Sequence, residues 1–576
     1  MKCFSHKNSI ILSIALVYLV AIAVYLELVV PYHICFKEQT SVFICGQGLL
    51  WDYFTKPAAL SKIAGDFLTQ FFAFKHTGTI IIVLVFALLL TAVQKTMQAL
   101  ISEKDNIFTW SAAFLVTGIE CALFTGIDWD ISMCVGLIAA LYTFILWNRS
   151  STRWLQYILI AIAFPLIGGY ILMLAMLFII TLIERKRYIG AIIIALESII
   201  FILVFSRIGM LYPGQAIVYP LEQHSLSAEP SRMFISFAVI LLFYILSVLP
   251  YGHHKTIKRI ACPISAVCCI IVFLWTYNKN DEHILELSTH TYHRDWNSAE
   301  KASSAKRPDI NVYDVLVHNH ALARKGELSE KLLEYPQIGI DGMFLPTIQT
   351  STYIDHFFNV DFHLELGDLT WATDCSFLGH TQVRGGMPSR MIRRSAEIAV
   401  LAGDSALAEK YLNLLSHSIP HKRWAADVKK GLRSGKLPQE LARLDKLTPE
   451  SDYHFNQNDH SAALISVVEG NRNNGIALDY LLCAYILDKD LTHFVSAFNS
   501  YYNYTGPKAI PQIYQEALIA SARNMDQLIE FSEKYHLNQS LLSAYMQFSK
   551  AIQTGDRKTA GKFSGSYWNY LLMYGK

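Results

Sequence analysis

Apolar residues run in long blocks through the first half of the chain and at helical spacing through the second. The blocks lie near 9–30, 78–95, 107–125, 131–147, 190–206, 233–250 and 260–277. Each approaches the roughly 20 residues an apolar helix needs to cross hydrocarbon. One further block, 154–184, is too long for a single crossing and contains "FPLIGGYIL". Pro165, Gly168 and Gly169 break it into two short spans that meet at the glycines. The pattern therefore predicts a polytopic bundle of about nine helices in residues 1–277. A linker follows at 278–310, and a polar, all-α domain at 311–576.

In that second half one phrase recurs: "ALARKGELSEKLL", "LELGDLTWA", "LAGDSALAEKYLNLL", "VVEGNRNNGIALDYLL" and "IQTGDRKTAGKF". A glycine closes one helical run, and Asp, Glu or Asn opens the next. A left-handed glycine cap followed by a polar N-cap has this signature. The glycines are Gly326, Gly367, Gly403, Gly470 and Gly555. The first intervals, 41 and 36 residues, lie near the roughly 34-residue period of tetratricopeptide units. A tetratricopeptide-like array is expected, with a concave face for a protein partner.

Charge orients the blocks. With the amino terminus in the cytoplasm, inner segments hold Lys2, Lys7, Lys95, Lys104, Arg149, Arg153, Arg185, Lys186, Arg187, Lys255, Lys258 and Arg259. Outer loops hold Lys37, Lys56, Lys62, Lys75 and Arg232, with Arg207 near a boundary. The positive-inside rule then places the tail outside the cytoplasm of a bacterial inner membrane. Of the 576 residues 53% are hydrophobic and 17% charged, with a net charge of +2. That balance gives no case for nucleic acid. Residues 1–23 read as an uncleaved anchor, because apolarity continues to Val30. Cys35 and Cys45 share the first outer loop, where an oxidising compartment would let them bridge.

Candidate chemistry gathers in the outer loops. In residues 57–74, Leu60, Ile63, Ala64, Phe67, Leu68 and Phe71 follow helical spacing, with Lys62, Asp66 and Gln70 on the other side. That describes an interfacial helix opened by Pro57. Acids in this loop are Glu38, Asp52 and Asp66. The second outer loop, "GIDWDIS", carries Asp128 and Asp130 around Trp129. In the plainer reading they are solvated turn residues beside an interfacial tryptophan. In the sharper one, carboxylates at the mouth of a bundle bind a divalent cation or act as general base. Within the spans, Glu197 is placed mid-block, where an acid faces a cavity or a partner. Glu120 and Glu27 lie nearer the outer ends, where water is close.

A long first loop with a surface helix, acids in two outer loops and a large outer tail resemble the C-type glycosyltransferase layout. The resemblance covers the membrane half. It implies a polyprenyl-phosphate-linked sugar donor and an acidic base in the first loop, with Asp128 and Asp130 positioning a cation. Glu38 is followed by Gln39 rather than a second acid, so the base stays open among Glu38, Asp52 and Asp66. The chain also resembles, over nearly its whole length, a family of bacterial multi-pass proteins without an established activity. Glu38-Gln39, Pro57 and "FLTQFF" carry that likeness, with Ala58-Ala59 where glycines are usual.

Three functions follow as expectations: a C-type-like glycosyltransferase, a non-enzymatic envelope scaffold working through its tail, and a transporter centred on Glu197.

Overall fold

The computed structural model describes residues 6–44, 46, 49–101, 106–127, 129–150, 152, 154–208, 232–248, 254–304, 310–345, 351–383, 387–450, 459–505 and 509–573. These form helices and turns with no strand among the described residues. Two compact units result. The first is Met1–Leu285 with His380–Ile392 and Leu412–Ala426, and the second is Glu286–Gly379 with Arg393–Tyr411 and Asp427–Lys576. Two stretches of the tail thus belong with the apolar helices. Residues 278–310, expected as a linker, hold the helices Lys279–Tyr292 and Trp296–Ser303.

Among the described residues of the first unit six helices are long and apolar enough to cross a membrane: Ile10–Leu28, Thr77–Leu100, Ile107–Phe124, Ile131–Arg149, Leu155–Glu184 and Tyr188–Arg207. A seventh is reached if Ile260–Thr276 and Lys279–Tyr292, bent by 54°, form one span, and Met233–Val248 is a shorter apolar helix. The chain is a multi-pass membrane protein by this measure. Many outward side chains in these helices are apolar, as lipid requires.

Leu155–Glu184 satisfies length and composition as one stretch, yet contacts show it folding back. Trp147 Nε1 donates to Gln156 Oε1 at 3.0 Å, and the Trp147 ring lies 4.5 Å from that of Phe178. On a straight helix Gln156 and Phe178 would be roughly 33 Å apart. The helices Leu155–Ile167 and Ile171–Glu184 instead meet at a 3-10 turn, Gly168–Tyr170, where Gly168 has φ +60. Each spans about 20 Å, short of the roughly 30 Å hydrocarbon core. The block enters and leaves at one end, beside Arg185, whose Nη2 donates to Asn148 at 2.6 Å.

The helix expected within 57–74 forms as Ala59–Thr69 with a 3-10 turn Gln70–Ala73. Pro57 falls in the turn before it, and Ala58 takes φ +65. An alanine pays roughly 1–2 kcal/mol for that left-handed backbone, which glycine adopts freely. The face turned inward is small and polar: Ser61, Gly65, Asp66, Thr69 and Gln70 are buried, while Leu60 and Phe67 are exposed. Gly65 is required there, since a Cβ would come within 2.5 Å of Ser132.

The second unit follows water-soluble rules. Gly326, Gly367, Gly403 and Gly555 all have φ between +70 and +79 at helix ends, as their setting predicted. Gly470 differs: it ends its helix in helical geometry, and Asn471 is the C-cap. Asp368, Asp404, Asn474 and Asp556 accept from backbone N–H groups at the starts of the next helices.

A buried ionic network ties this unit together. Arg394 reaches Asp361 at 2.5 Å, Glu397 at 2.8 Å and the Tyr292 carbonyl at 2.7 Å. Arg294 reaches Glu365, Glu397 and Glu440 at 2.6, 2.7 and 2.8 Å. Burial alone would raise the Glu397 carboxyl, but Arg294, Arg394 and Arg393 hold it well below the usual carboxylate range.

Candidate functional site

At one end of the first unit the helix Ala59–Thr69 and the start of Ile131–Arg149 are joined by an ion-paired cluster. Lys62 Nζ lies 2.9 Å from Asp66 Oδ1, one turn along the same helix, and 3.1 Å from Asp130 Oδ2. Tyr53 Oη donates to the other Asp66 oxygen at 2.9 Å. Asp130 is also the N-cap of Ile131–Arg149, accepting from Ser132 N at 3.3 Å. One carboxylate therefore starts a helix and holds the lysine of another. Burial pushes the Asp66 carboxyl up to about 6, Asp130 adds to the rise, and Lys62 and Tyr53 pull against it.

Lys37 ties the second loop in place. Its Nζ donates to the carbonyls of Gly126 and Trp129, each at 2.7 Å, and lies 4.8 Å from the centre of the Phe124 ring. These carbonyls follow the C-terminus of Asn106–Phe124, where a positive charge is favoured. Trp129 is buried, so it is not the surface anchor of the plainer reading.

Glu38 and Gln39 are met by residues from the tail. His421 Nε2 lies 2.9 Å from Glu38 Oε1, and Ser389 Oγ donates to the Glu38 carbonyl at 2.8 Å. Arg390 Nη1 donates to Gln39 Oε1 at 2.8 Å, and Ile419 N to Gln70 Oε1 at 3.1 Å. All of these residues are in the first unit. None was legible in the sequence, because partners about 350 residues apart leave no local trace. Lys37 and Lys62 did leave one, as basic residues in loops otherwise marked by acids.

The other candidates are dispersed. Asp52 is exposed on the short helix Leu49–Phe54. Asp128 and Cys45 lie outside the described residues, so neither the Asp128–Asp130 pairing nor the Cys35–Cys45 bridge is placed. Glu197 is partly exposed between the outward-facing Leu196 and Ile200. Glu120, expected near water, is instead fully buried: Ser236 Oγ donates to its Oε1 at 2.5 Å, and Cys134 Sγ lies 3.8 Å from Oε2. Among the described residues no three His, Cys, Asp or Glu side chains group as a metal site. Between Asp66 and Asp130 the positive charge is the Lys62 ammonium.

A family model described as "Family of unknown function (DUF6057)" matches residues 6–574. The chain belongs to the DUF6057 family. No curated protein and no solved structure matches it. The DUF6057 match covers apolar helices and tail alike, so the two units are parts of one family architecture.

Proposed function

We propose that the chain is a membrane-embedded transferase acting at the bilayer interface on a lipid-linked, phosphate-bearing sugar, with Asp66 as general base. The observation that carries this reading is the helix Ala59–Thr69. Its inner face holds Lys62 and Asp66 against Asp130, while Leu60 and Phe67 face outward. Trp51, 74% exposed, and Phe54 extend the apolar surface. An amphiphile can lay its chain on that surface and bring its phosphate to the Lys62 ammonium. A carboxyl titrating near 6 is ionised at neutral pH yet basic enough to accept a proton. Asp130 positions Lys62, and Glu38, bound to His421, fixes the first loop.

The orientation in this reading is that of a bacterial inner membrane. Arg149 and Arg185 close the end where the 155–184 hairpin emerges and face the cytoplasm, which leaves the acidic cluster and the tail outside. A second reading, an envelope scaffold, is favoured by a groove of about 380 Å³ in the second unit, lined by Met525, Ile529, Leu542 and Met546. Transport through Glu197 has no comparable support.

The test is transfer of labelled sugar from a polyprenyl-phosphate donor in proteoliposomes. Asp66→Asn should lower the rate by about 100-fold or more at unchanged protein level, with a smaller loss in Asp130→Asn. Undiminished transfer by Asp66→Asn removes that residue from the reaction. A parent protein that transfers nothing while its tail captures a partner favours the scaffold.

A further inference from the structure

Behind the surface cluster, the first unit encloses a second acid that the transferase reading does not use. Glu120, on Asn106–Phe124, has no exposed surface. The groups around it are donors from four other segments. Ser236 Oγ, on Met233–Val248, donates at 2.5 Å, and the Cys134 thiol, on Ile131–Arg149, points to the other oxygen. The Trp129 indole N–H is directed at the same carboxyl but lies outside direct hydrogen-bond geometry. Tyr170, at the tip of the 155–184 hairpin, is close enough to feel the charges of Glu120 and Cys134, and its buried hydroxyl also has no partner. Buried donors of this kind are nearly always satisfied. Both unpartnered donors lie beside the same carboxyl.

Among the described residues no cation acts on Glu120. Titratable side chains around Glu120 are the thiols of Cys121 and Cys134, the phenol of Tyr170 and, through Cys134, Asp130. From Asn106–Phe124's other neighbours come Cys269 on His254–Thr276 and Tyr18 on His6–Leu28. Among the described residues this carboxyl is met by donors and by no second oxyanion, an arrangement poor for a metal ion and suited to one proton.

We propose that Glu120 is a proton-exchange site within the bundle, reached by water that hydrogen-bonds Trp129 and Tyr170. Its occupant is a single proton, taken up and released on the side of the 126–130 loop. The ionised form draws the indole N–H inward, and protonation removes that attraction. Because the Trp129 carbonyl is bound by Lys37 and the next residue is Asp130, the proton on Glu120 bears directly on the loop that forms the surface cluster.

An apolar carbodiimide tests this on the full-length protein in proteoliposomes, read by peptide mass spectrometry. A protonated carboxyl adds across the N=C=N group to give an O-acylisourea, which rearranges to an N-acylurea. The whole reagent adds and nothing leaves. Glu120 should be labelled at low pH and progressively less as pH rises, and labelling should be insensitive to sodium. Ser236→Ala keeps the packing and removes a donor to the anion, so labelling of that variant should persist to higher pH than in the parent protein. Glu197, partly exposed to lipid, reports that the reagent has entered the bilayer. Labelling of Glu197 with none at Glu120 at any pH overturns the proposal, and so does protection of Glu120 by sodium. Because this readout needs no substrate, it stands or falls separately from the transferase assignment.

Discussion

The helices Tyr188–Ile208 and Met525–Tyr535 distribute their side chains in opposite ways. The first turns Leu196 and Ile200 outward and buries Ser198, whose hydroxyl bonds back to the Ile194 carbonyl. The second buries Leu528, Phe531 and Tyr535 and presents Asp526, Glu530, Glu533 and Lys534. The surroundings decide. In water apolar area is hidden, whereas against hydrocarbon it can stay outside and polar groups must find partners within. Each unit also holds a fully buried acid in its own way. The second neutralises Glu397 with three arginines, and the first surrounds Glu120 with neutral donors.

The contrast is broken most severely at Arg394, which is fully buried. Arg394→Met should destabilise the second unit by about 3–5 kcal/mol, because Asp361 and Glu397 stay buried. Replacing Arg394, Asp361 and Glu397 together with apolar residues should lose much less. Denaturant unfolding of the full chain would compare the two variants.

Leu196 and Ile529 test the solvent on each unit, since both are about half exposed, at 54% and 52%. Leu196→Arg should cost about 2.5–3.5 kcal/mol and reduce the protein recovered in membranes. Ile529→Lys should stay within about 0.5 kcal/mol. Similar yields for both variants would mean that Leu196 does not face lipid.

The smallest effect concerns Asp66, whose carboxyl is raised from 3.8 to about 6 in the folded protein. A raised acid favours folding while protonated, so its contribution is complete below about pH 4 and is lost as pH rises through 6. Activity that needs the carboxylate runs the other way and increases through that window. Lys62 pulls this value down and also meets the phosphate in the proposed site, so Lys62→Met should lower the rate at every pH and move the rising limb up by roughly one pH unit. An unmoved pH–rate profile would detach Asp66 from the rate.

What could be read before folding was local. Four of the five capping glycines were legible because a helix end is set by neighbouring residues. So was the hairpin at Gly168, because Pro165 and two glycines interrupt one apolar run. Asp130 was identified, but its partner was not. The burial of Glu120 leaves no mark in the sequence, because distance along a helix does not reveal depth in a bundle, and Ser236 and Cys134 come from other helices.

The amino-acid order alone thus determined which stretches are apolar enough for lipid, where four glycines close helices, and on which connections basic residues gather. Each depends on residues within a few turns of one another. Only the tertiary structure decided that Lys62 joins Asp66 to Asp130, that His421 returns to Glu38, and that Glu120 is hidden while Glu197 is not. Those outcomes depend on packing between segments up to 383 positions apart. Burial and the strength of a charge are properties of that packing.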